Sequence, residues 1–266
     1  TTILPSTWHE TGIEFFGTFG KGYATFDYQA LIVTGLNANG FDRNNWVAGG
    51  KQGFFEVDNF TSPAYVARLD YRGVPGLRIG GSFYYCVNTA SNSDKVATYA
   101  GVKAPLRIYT VDGQYKNKYV TARTNFVFGN LTGATAISNK NKGLSNSSPY
   151  TRVVQVAKKA VSYAGEVGVN LRSICNGNKK VPVIYPFARY EYYNPQEAGE
   201  KGQLPMDKRN QVSMWTAGLN WYALPNLVVK ADYMTRQIGT GKVFGKGKYN
   251  SENEFSIGIA YVGWFI

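Results

Sequence analysis

The sequence predicts an all-β protein, an antiparallel transmembrane β-barrel, from three observations. Apolar and polar residues alternate in segments of roughly ten residues, no apolar run is long, and the connections between segments alternate between short and long. The chain has 266 residues, 44% hydrophobic and 15% aromatic, and its mean hydropathy is -0.28. Polar or charged residues interrupt every apolar stretch well before the ~20 residues that a membrane-spanning helix needs. If such a chain crosses a bilayer, its strands must close into a barrel, expected here as a single domain over residues 1–266.

The clearest strand pattern lies near the C-terminal end. Phe255, Ile257 and Ile259 fall on one face of an extended segment, and Glu254 and Ser256 fall on the other. The same alternation recurs along the chain. It predicts eleven strands, at about residues 10–19, 23–34, 63–72, 76–87, 104–113, 119–129, 160–172, 182–193, 209–222, 226–238 and 252–266.

The lengths of the connections support a membrane barrel. The short ones are 20–22, 73–75, 113–118, 173–180 and 223–225, and the long ones are about 35–62, 88–103, 130–159, 194–208 and 239–251. Outer-membrane barrels have short periplasmic turns and long extracellular loops, whereas a soluble β-sandwich has no reason to sort its connections in this way. An even-stranded barrel then requires an odd number of further strands before residue 1, so we expect the chain to be the C-terminal part of a longer barrel. A missed strand near residues 54–60 is the alternative.

Aromatic residues cluster near the predicted strand ends. They are Tyr190, Tyr192, Trp215, Trp221, Tyr222, Tyr261, Trp264 and Phe265. Rings with an apolar body and a polar edge favour the headgroup level of a membrane. Cross-strand packing in a soluble sandwich is the alternative, because aromatic residues are enriched in all strands.

The net charge of +12 indicates acidic partners, such as anionic lipid, an anionic solute or nucleic acid. No recognition helix or stacking motif accompanies the charge, so nucleic acid is the weakest of these. Period-two alternation places seven basic residues on the polar face, where they predominate over Asp70, Glu191, Asp232 and Glu254. These predicted pore-lining, anion-attracting residues are Arg68, Arg72, Arg78, Arg123, Arg189, Lys230 and Arg236. The alternative is that they form cross-strand ion pairs with the carboxylates and only stiffen the wall.

The long segment 130–159 carries further basic residues. Arg152, Lys158 and Lys159 would line a constriction if this segment folds into the pore. As an external loop it would instead bind the phosphates of lipopolysaccharide.

Several short pieces of the chain are similar to one protein family. They are Ile3–Gly12, Val33–Asn37, Ala67–Tyr71, Gly76–Gly80, Phe187–Glu191 and Ser256–Tyr261. The chain thereby resembles porin-like outer-membrane proteins of Bacteroidota, related to the phosphate-selective porin O/P family. The resemblance implies a barrel of about sixteen strands in the outer membrane of a Gram-negative cell, often trimeric, with passive transport as its activity. Phosphate selectivity would require a ladder of lumen arginines and a lysine cluster at matching positions.

The expected function is therefore that of an outer-membrane porin that lets small, preferentially anionic, solutes diffuse through a basic lumen. Its expected partners are outer-membrane lipid, lipopolysaccharide and small anionic solutes, in a homotrimer or a larger envelope complex. One alternative is an accessory barrel subunit of an envelope assembly, because Tyr84, Tyr185, Phe187 and Tyr193 would narrow the lumen.

A barrel enzyme is a second alternative, with His9 as the one histidine and Ser6 and Glu10 beside it. We expect no catalysis, metal or cofactor, since one histidine and two cysteines cannot assemble a typical metal cluster. Cys86 and Cys175 would pair only if the sheet brings two strand ends together.

Overall fold

The computed structural model describes residues 3–52, 60–93, 97–141, 155–203, 205–206, 208–239 and 249–261, and its architecture is one antiparallel sheet of eleven strands. The strands are Gly12–Lys21 (β1), Ala24–Val33 (β2), Ala64–Tyr71 (β3), Leu77–Cys86 (β4), Leu106–Lys116 (β5), Val120–Leu131 (β6), Lys159–Val169 (β7), Val183–Ala198 (β8), Val212–Leu224 (β9), Leu227–Gly239 (β10) and Tyr249–Tyr261 (β11). Each strand pairs with its sequence neighbours, so the spatial order is the chain order. The eleven predicted strands are confirmed, and all the described strands lie in one sheet rather than in the two sheets of a sandwich.

Tight turns join the strands at one end of the sheet, which we call the turn end. Pro225 and Asn226 alone separate β9 from β10. Gly76 has φ +80°, and a Cβ there would lie 2.1 Å from the carbonyl oxygen of Lys116, so only glycine fits this turn. The Asn117 side chain accepts hydrogen bonds from the backbone N–H groups of Tyr119 and Val120 and so closes the turn between β5 and β6. The predicted short connections are therefore present, and the one between β7 and β8 contains a short helix, Leu171–Ile174 (α2).

The opposite end, the loop end, carries the long connections. They contain a second short helix, Ala134–Lys140 (α1), and 3₁₀ turns at Ala38–Gly40, Ala48–Gly50, Thr89–Asn92 and Lys208–Asn210. No helix within the described ranges is both long and apolar enough to span a membrane. The region of residues 54–60, considered as a further strand, lies outside the described residues except for Phe60, which belongs to no strand.

The strand register divides the side chains between two faces, because directly paired residues share a face and successive residues alternate. One face, the apolar face, is aromatic and aliphatic across all eleven strands. Its exposed members include Ile13, Phe15, Tyr28, Tyr65, Leu69, Ile79, Val111, Phe126, Val167, Trp215, Leu219, Tyr233, Phe255, Ile257 and Ile259. Phe15 is 65% exposed and Ile259 72% exposed, so these side chains have no protein cover. The predicted apolar alternation is confirmed, and the apolar side chains form an open surface in the described chain.

The other face, the polar face, carries the charged residues and is covered at the loop end. There the N-terminal segment and the long connections fold over β2 to β7 and form a hydrophobic cluster with the strand residues beneath them. We call this cover the loop cap; it comprises residues 3–10, 34–52, 87–93, 97–105, 132–141 and 155–158. Its largest fully buried side chains are Trp46, Phe41, Ile3 and Leu36. The buried core of the described chain thus lies under loops.

Trp46 is the centre of the loop cap. Its ring lies against Gly129 of β6, where an added Cβ would be only 1.9 Å from the ring edge. Its indole N–H donates to the carbonyl oxygen of Ala157 over 3.0 Å. One side chain therefore joins the β2–β3 connection to a strand of the sheet and to the β6–β7 connection.

A buried asparagine, Asn92, and a half-buried one, Asn141, bind the backbones of neighbouring loops. The Asn92 side chain donates to the carbonyl oxygens of Thr34, Leu36 and Ser62 and accepts from the Ser62 N–H at 2.8 Å. Asn141 donates to the carbonyl oxygen of Phe41 at 3.1 Å. Because an amide side chain can satisfy several backbone groups at once, these residues allow irregular chain to be buried.

Glu200 joins the β8–β9 connection to the start of α1. Its carboxylate accepts from the backbone N–H groups of Gly133 at 3.1 Å and Thr135 at 2.9 Å. Burial opposes ionisation of Glu200, but the hydrogen bonds from Thr135 and Gly133 outweigh it, so the pKa of this carboxyl lies below its usual value. Ionised Glu200 therefore stabilises the contact between the two connections.

We expect Glu200→Gln to lower the stability of this contact by about 1 kcal/mol at neutral pH, the usual worth of a helix cap. A carboxyl with a lowered folded-state pKa contributes stability that is complete above its unfolded pKa and lost as pH falls through the folded value. The difference between wild type and variant should therefore vanish in strong acid. Hydrogen exchange of the Gly133 and Thr135 amides across pH checks this, and a difference that persists in acid would contradict it.

The two cysteines lie at opposite ends of the sheet. Cys86 is buried at the loop end of β4, and Cys175 is exposed beyond α2 at the turn end. Both are free thiols, so the pairing considered from the sequence does not form.

Candidate functional site

The strand register and side-chain contacts place all seven predicted basic residues on the polar face. Six lie within strands, and Arg72 follows β3 directly and reaches an aspartate of β2. Five of the seven form ion pairs: Arg68, Arg72, Arg78, Arg189 and Arg236. Whether they attract anions stays a prediction, but most of their charge is already compensated.

Asp70 holds the largest of these ion-pair groups, on β3 to β5. The Arg68 guanidinium donates to both Asp70 oxygens, at 2.7 and 2.6 Å, and to both Asp112 oxygens, at 2.9 and 2.8 Å. The Arg78 Nε donates to the same Asp70 carboxylate at 2.8 Å. The Asp70 side chain is only 4% exposed, so this network is a structural part of the wall. It agrees with the alternative in which the cations stiffen the sheet.

We expect Asp70→Asn to lower the free energy of unfolding by about 2 kcal/mol, because it removes the negative charge and one of the two acceptor oxygens that two arginines share, one of which is half exposed. It should also leave Arg78 without an ion pair among the described residues and raise the preference of the face for anions. Asp112→Asn is the matched control; Asp112 meets only Arg68 and is 35% exposed, so we expect a cost of about 1 kcal/mol or less. Chemical unfolding of both variants measures the difference, and equal stabilities would show that Asp70 is not the centre of the network.

Ion pairs are sparser on β6 to β10. Arg189 donates to Glu191 at 2.7 Å, and Arg236 donates to Glu252 at 3.3 Å and to the Tyr193 hydroxyl at 3.4 Å. Arg123 and Lys230 form no ion pair with any residue that the structure describes. The two halves of the polar face therefore differ: ion pairs neutralise most arginines of the first, and the second retains both cations and carboxylates without ion pairs among the described residues, such as Arg123 and Glu166.

Acidic side chains outnumber the seven predicted basic residues on the polar face of the described strands. Besides the four carboxylates found from the sequence, the register adds Glu14, Asp27, Asp112, Glu166 and Glu252. The expected predominance of basic residues on this face is therefore wrong, and the chain's positive excess lies mainly in its connections. Period-two counting within the predicted strands already places these acids on the polar face; sequence reasoning singled out the arginines and omitted them.

A cavity of about 490 Å³ opens on the polar face between β6 and β9. Its charged and polar lining includes Arg123, Glu166, Arg189, Glu191 and Tyr193. Met214 adds an apolar surface. The cavity therefore combines both signs of charge with a small apolar patch.

A second cavity of about 410 Å³ lies below the N-terminal segment, beside Trp8 and Tyr84, whose ring centroids are 5.0 Å apart. The Glu10 carboxylate accepts hydrogen bonds from the Trp8 indole at 3.1 Å, the Tyr84 hydroxyl at 3.0 Å and the Gly35 N–H at 3.3 Å. His9 is exposed, and its Nδ1 bonds to the carbonyl oxygen of Thr7. Glu10 thus anchors the N-terminal segment, a structural role.

The predicted constriction residues have separate locations. Arg152 lies outside the described residues. Lys158 and Lys159 lie at the start of β7, and the Lys159 side chain is on the apolar face, level with Asn130 of β6. The part of this connection that does cover the polar face is α1 together with residues 155–157, which are buried. It does so alongside the β2–β3 connection, which sequence reasoning had not singled out.

Only some of the aromatic residues that were expected near strand ends lie there. Trp221 and Tyr222 lie near the turn end of β9, and Tyr261 ends β11. Tyr190 and Tyr192 lie in the middle of β8, because this strand continues to Ala198. Trp215 lies beside Tyr190, with ring centroids 4.6 Å apart, so these rings pack across strands on the apolar face. Trp264 and Phe265 lie outside the described residues.

No protein-family model matches the chain, and no curated protein shows significant similarity to it. Its function is therefore inferred from the two faces of the sheet, the charges on one of them and the loop cap.

Proposed function

We propose that the chain forms most of the wall of an outer-membrane pore, a transmembrane β-barrel through which small, preferentially anionic, solutes diffuse passively. The observation that carries this proposal is the exposed apolar face, which runs across all eleven strands opposite a face rich in charge. A soluble sheet buries its apolar face and exposes its polar one. Here the arrangement is reversed, and an apolar surface that extends across every described strand is favourable where the surroundings are lipid.

Strand dimensions agree with this environment. A tilted transmembrane strand needs about 9–11 residues, and ten of the eleven strands have at least ten. The connections are short at one end and long at the other, as in outer-membrane barrels. With this orientation the turn end faces the periplasm and the loop cap faces the cell exterior.

Closure requires strands beyond the eleven. β1 and β11 are the two edges of the sheet and both run from the loop end to the turn end, so pairing them directly would be parallel. An antiparallel barrel therefore needs an odd number of further strands between them, which agrees with a barrel of about sixteen strands and with the resemblance to the porin O/P family. The exposed backbone groups of both edges have to be paired before the sheet can enter lipid.

Anion preference, in this proposal, arises at the mouths of the pore more than along its wall. Cationic connections include Arg43, Lys103, Lys140 and Lys201 at the loop end and Lys118, Arg172, Lys179 and Lys180 at the turn end. Charge at a narrow entrance concentrates ions of opposite sign. Along the wall, Glu166 lies opposite Arg123 and Asp232 lies two residues from Lys230, so these cations add little further attraction for anions.

The loop cap would narrow the entrance. It covers the polar face of β2 to β7 at the loop end, so a solute would pass beside it along the remaining strands. If the cap fills the whole entrance, the chain acts as an accessory subunit of an envelope assembly, which is the second candidate function. An oligomer of three copies, or a larger complex, would cover part of the apolar face.

Single-channel recording of the purified protein in planar bilayers tests the proposal. We expect discrete conductance steps and, under a salt gradient, a reversal potential of the sign given by more permeant anions. A correctly folded barrel without conductance would overturn the pore and favour the accessory function. A cation-selective reversal potential would retain the pore and refute the anion preference.

We expect Arg123→Glu to lower the anion-to-cation permeability ratio by about two- to five-fold, because an uncompensated cation becomes an anion; this corresponds to about 0.5–1 kcal/mol. Arg78→Glu should change the ratio in the same direction by loss of the Asp70 pair. Arg123→Lys keeps the charge and is the matched control, with an unchanged ratio. Unchanged selectivity in Arg123→Glu would show that this side chain does not meet the permeating ions.

A further inference from the structure

The 490 Å³ cavity on β6 to β9 places an uncompensated cation beside an uncompensated anion. Arg123 of β6 and Glu166 of β7 are direct cross-strand partners, so their Cβ atoms are about 5 Å apart. Neither forms an ion pair, with the other or with any other residue in the described part of the chain. Elsewhere on the polar face, arginines close directly onto carboxylates that are not their direct cross-strand partners, as Arg68 does onto Asp70 and Asp112.

The other lining residues are arranged around this open pair. Arg189, the cross-strand partner of Glu166 on the other side, is held by Glu191 at 2.7 Å and forms no ion pair with Glu166. Met214 supplies an apolar surface in the same cavity. The Tyr193 hydroxyl accepts from Arg236 at 3.4 Å, which leaves its own proton available as a donor towards a bound molecule.

We propose that this cavity binds a small zwitterion of the α-amino acid class, whose carboxylate pairs with Arg123 and whose ammonium pairs with Glu166. Guanidinium groups bind carboxylates through two parallel hydrogen bonds, and a carboxylate accepts from an ammonium. The two charges of an amino acid are attached to one carbon atom, so one molecule placed between the ends of the Arg123 and Glu166 side chains can contact both. An aliphatic side chain would lie against Met214. This inference rests on the proposed pore. It identifies the class of solute that would bind to the wall of that pore.

A simple anion satisfies only half of this arrangement. It would pair with Arg123 but would be repelled by the neighbouring Glu166 carboxylate. A simple cation would pair with Glu166 but would be repelled by Arg123. A zwitterion satisfies both groups without changing the charge of the wall. The cavity should therefore bind molecules that carry both charges more tightly than molecules that carry one charge.

Binding to the purified full chain in detergent micelles tests this independently of transport. The probes are L-leucine, 4-methylpentanoate, which lacks the ammonium, and 3-methylbutylamine, which lacks the carboxylate, each measured by saturation-transfer NMR against empty micelles. We expect L-leucine to bind at least about tenfold more tightly than either analogue, since each lost charge removes a charge-assisted hydrogen bond. Arg123→Gln and Glu166→Gln should each weaken L-leucine binding by about tenfold as well.

Matched controls lie outside the cavity. Arg107→Gln removes an arginine from the apolar face of β5, and Glu14→Gln removes a carboxylate from β1; both should leave L-leucine binding unchanged. Equal binding of L-leucine and 4-methylpentanoate would show an anion site and overturn the proposal, as would unchanged L-leucine binding in both cavity variants. Conductance without L-leucine binding would refute this site and keep the pore. Binding without conductance would keep the site and refute the pore.

Discussion

Replacing Trp46 with alanine should loosen the loop cap more than any other single change in it. Trp46 is fully buried, lies against Gly129 and donates its indole N–H to Ala157, so the substitution creates a cavity and leaves the buried carbonyl oxygen of Ala157 without its donor. Removing a buried tryptophan costs about 3–5 kcal/mol. We expect this loss in the stability of the cap, with the sheet register unchanged, because the strands pair through their backbones.

Two measurements check the effect. Limited proteolysis should cut residues 34–52 faster in Trp46→Ala, and single-channel conductance should rise if the cap narrows the pore. Trp46→Phe keeps most of the side-chain volume but loses the hydrogen bond to Ala157, so a smaller change of about 1–3 kcal/mol is expected. Wild-type protection in Trp46→Ala would show that the cap does not depend on this side chain. Increased cleavage without a change in conductance would place the conducting path away from the cap.

A second large effect is expected on the apolar face. Ile257 of β11 is 70% exposed, and in the proposed orientation its side chain faces lipid. Arginine at a lipid-facing position of a barrel costs about 2–4 kcal/mol near the centre of the bilayer. Ile257→Arg should therefore destabilise the protein by about 3 kcal/mol in vesicles.

The neighbouring residue provides a matched control. Ser256 lies on the polar face opposite Asp232, so Ser256→Arg introduces the same side chain where water and a carboxylate are available. Urea unfolding in phospholipid vesicles compares the two variants. If both are equally stable there, the apolar face does not contact lipid, and the membrane environment of the sheet is refuted.

Much of the fold follows from local sequence. The alternation of Phe255, Ile257 and Ile259 with Glu254 and Ser256 requires only that successive side chains of a strand point to opposite faces. Turn residues such as Gly76 and Asn117 act over a few positions and mark where strands end. Strand ends were less accurate where a turn signal does not stop the chain, as in β8, which continues through Asn194 and Pro195 to Ala198 with an irregular register opposite them.

The candidate site was predictable only as a list of residues on one face. Which arginines are neutralised depends on contacts such as Arg68 with Asp112, 44 positions apart, and on the direction in which each long side chain turns. Arg78 and Arg123 look alike in the sequence, yet Arg78 is paired with Asp70 and Arg123 forms no ion pair among the described residues. The cavity beside Arg123 follows from that difference.

By itself, the sequence determined the number of strands, their order along the chain, the two faces of the sheet and the ends at which short and long connections lie. These features arise from periodicity and turn chemistry, which operate within about ten residues. Only the tertiary structure decided how the loops cover the polar face and which charges remain uncompensated. Those outcomes depend on long-range contacts, such as that between Trp46 and Ala157, 111 positions apart, which no local pattern encodes.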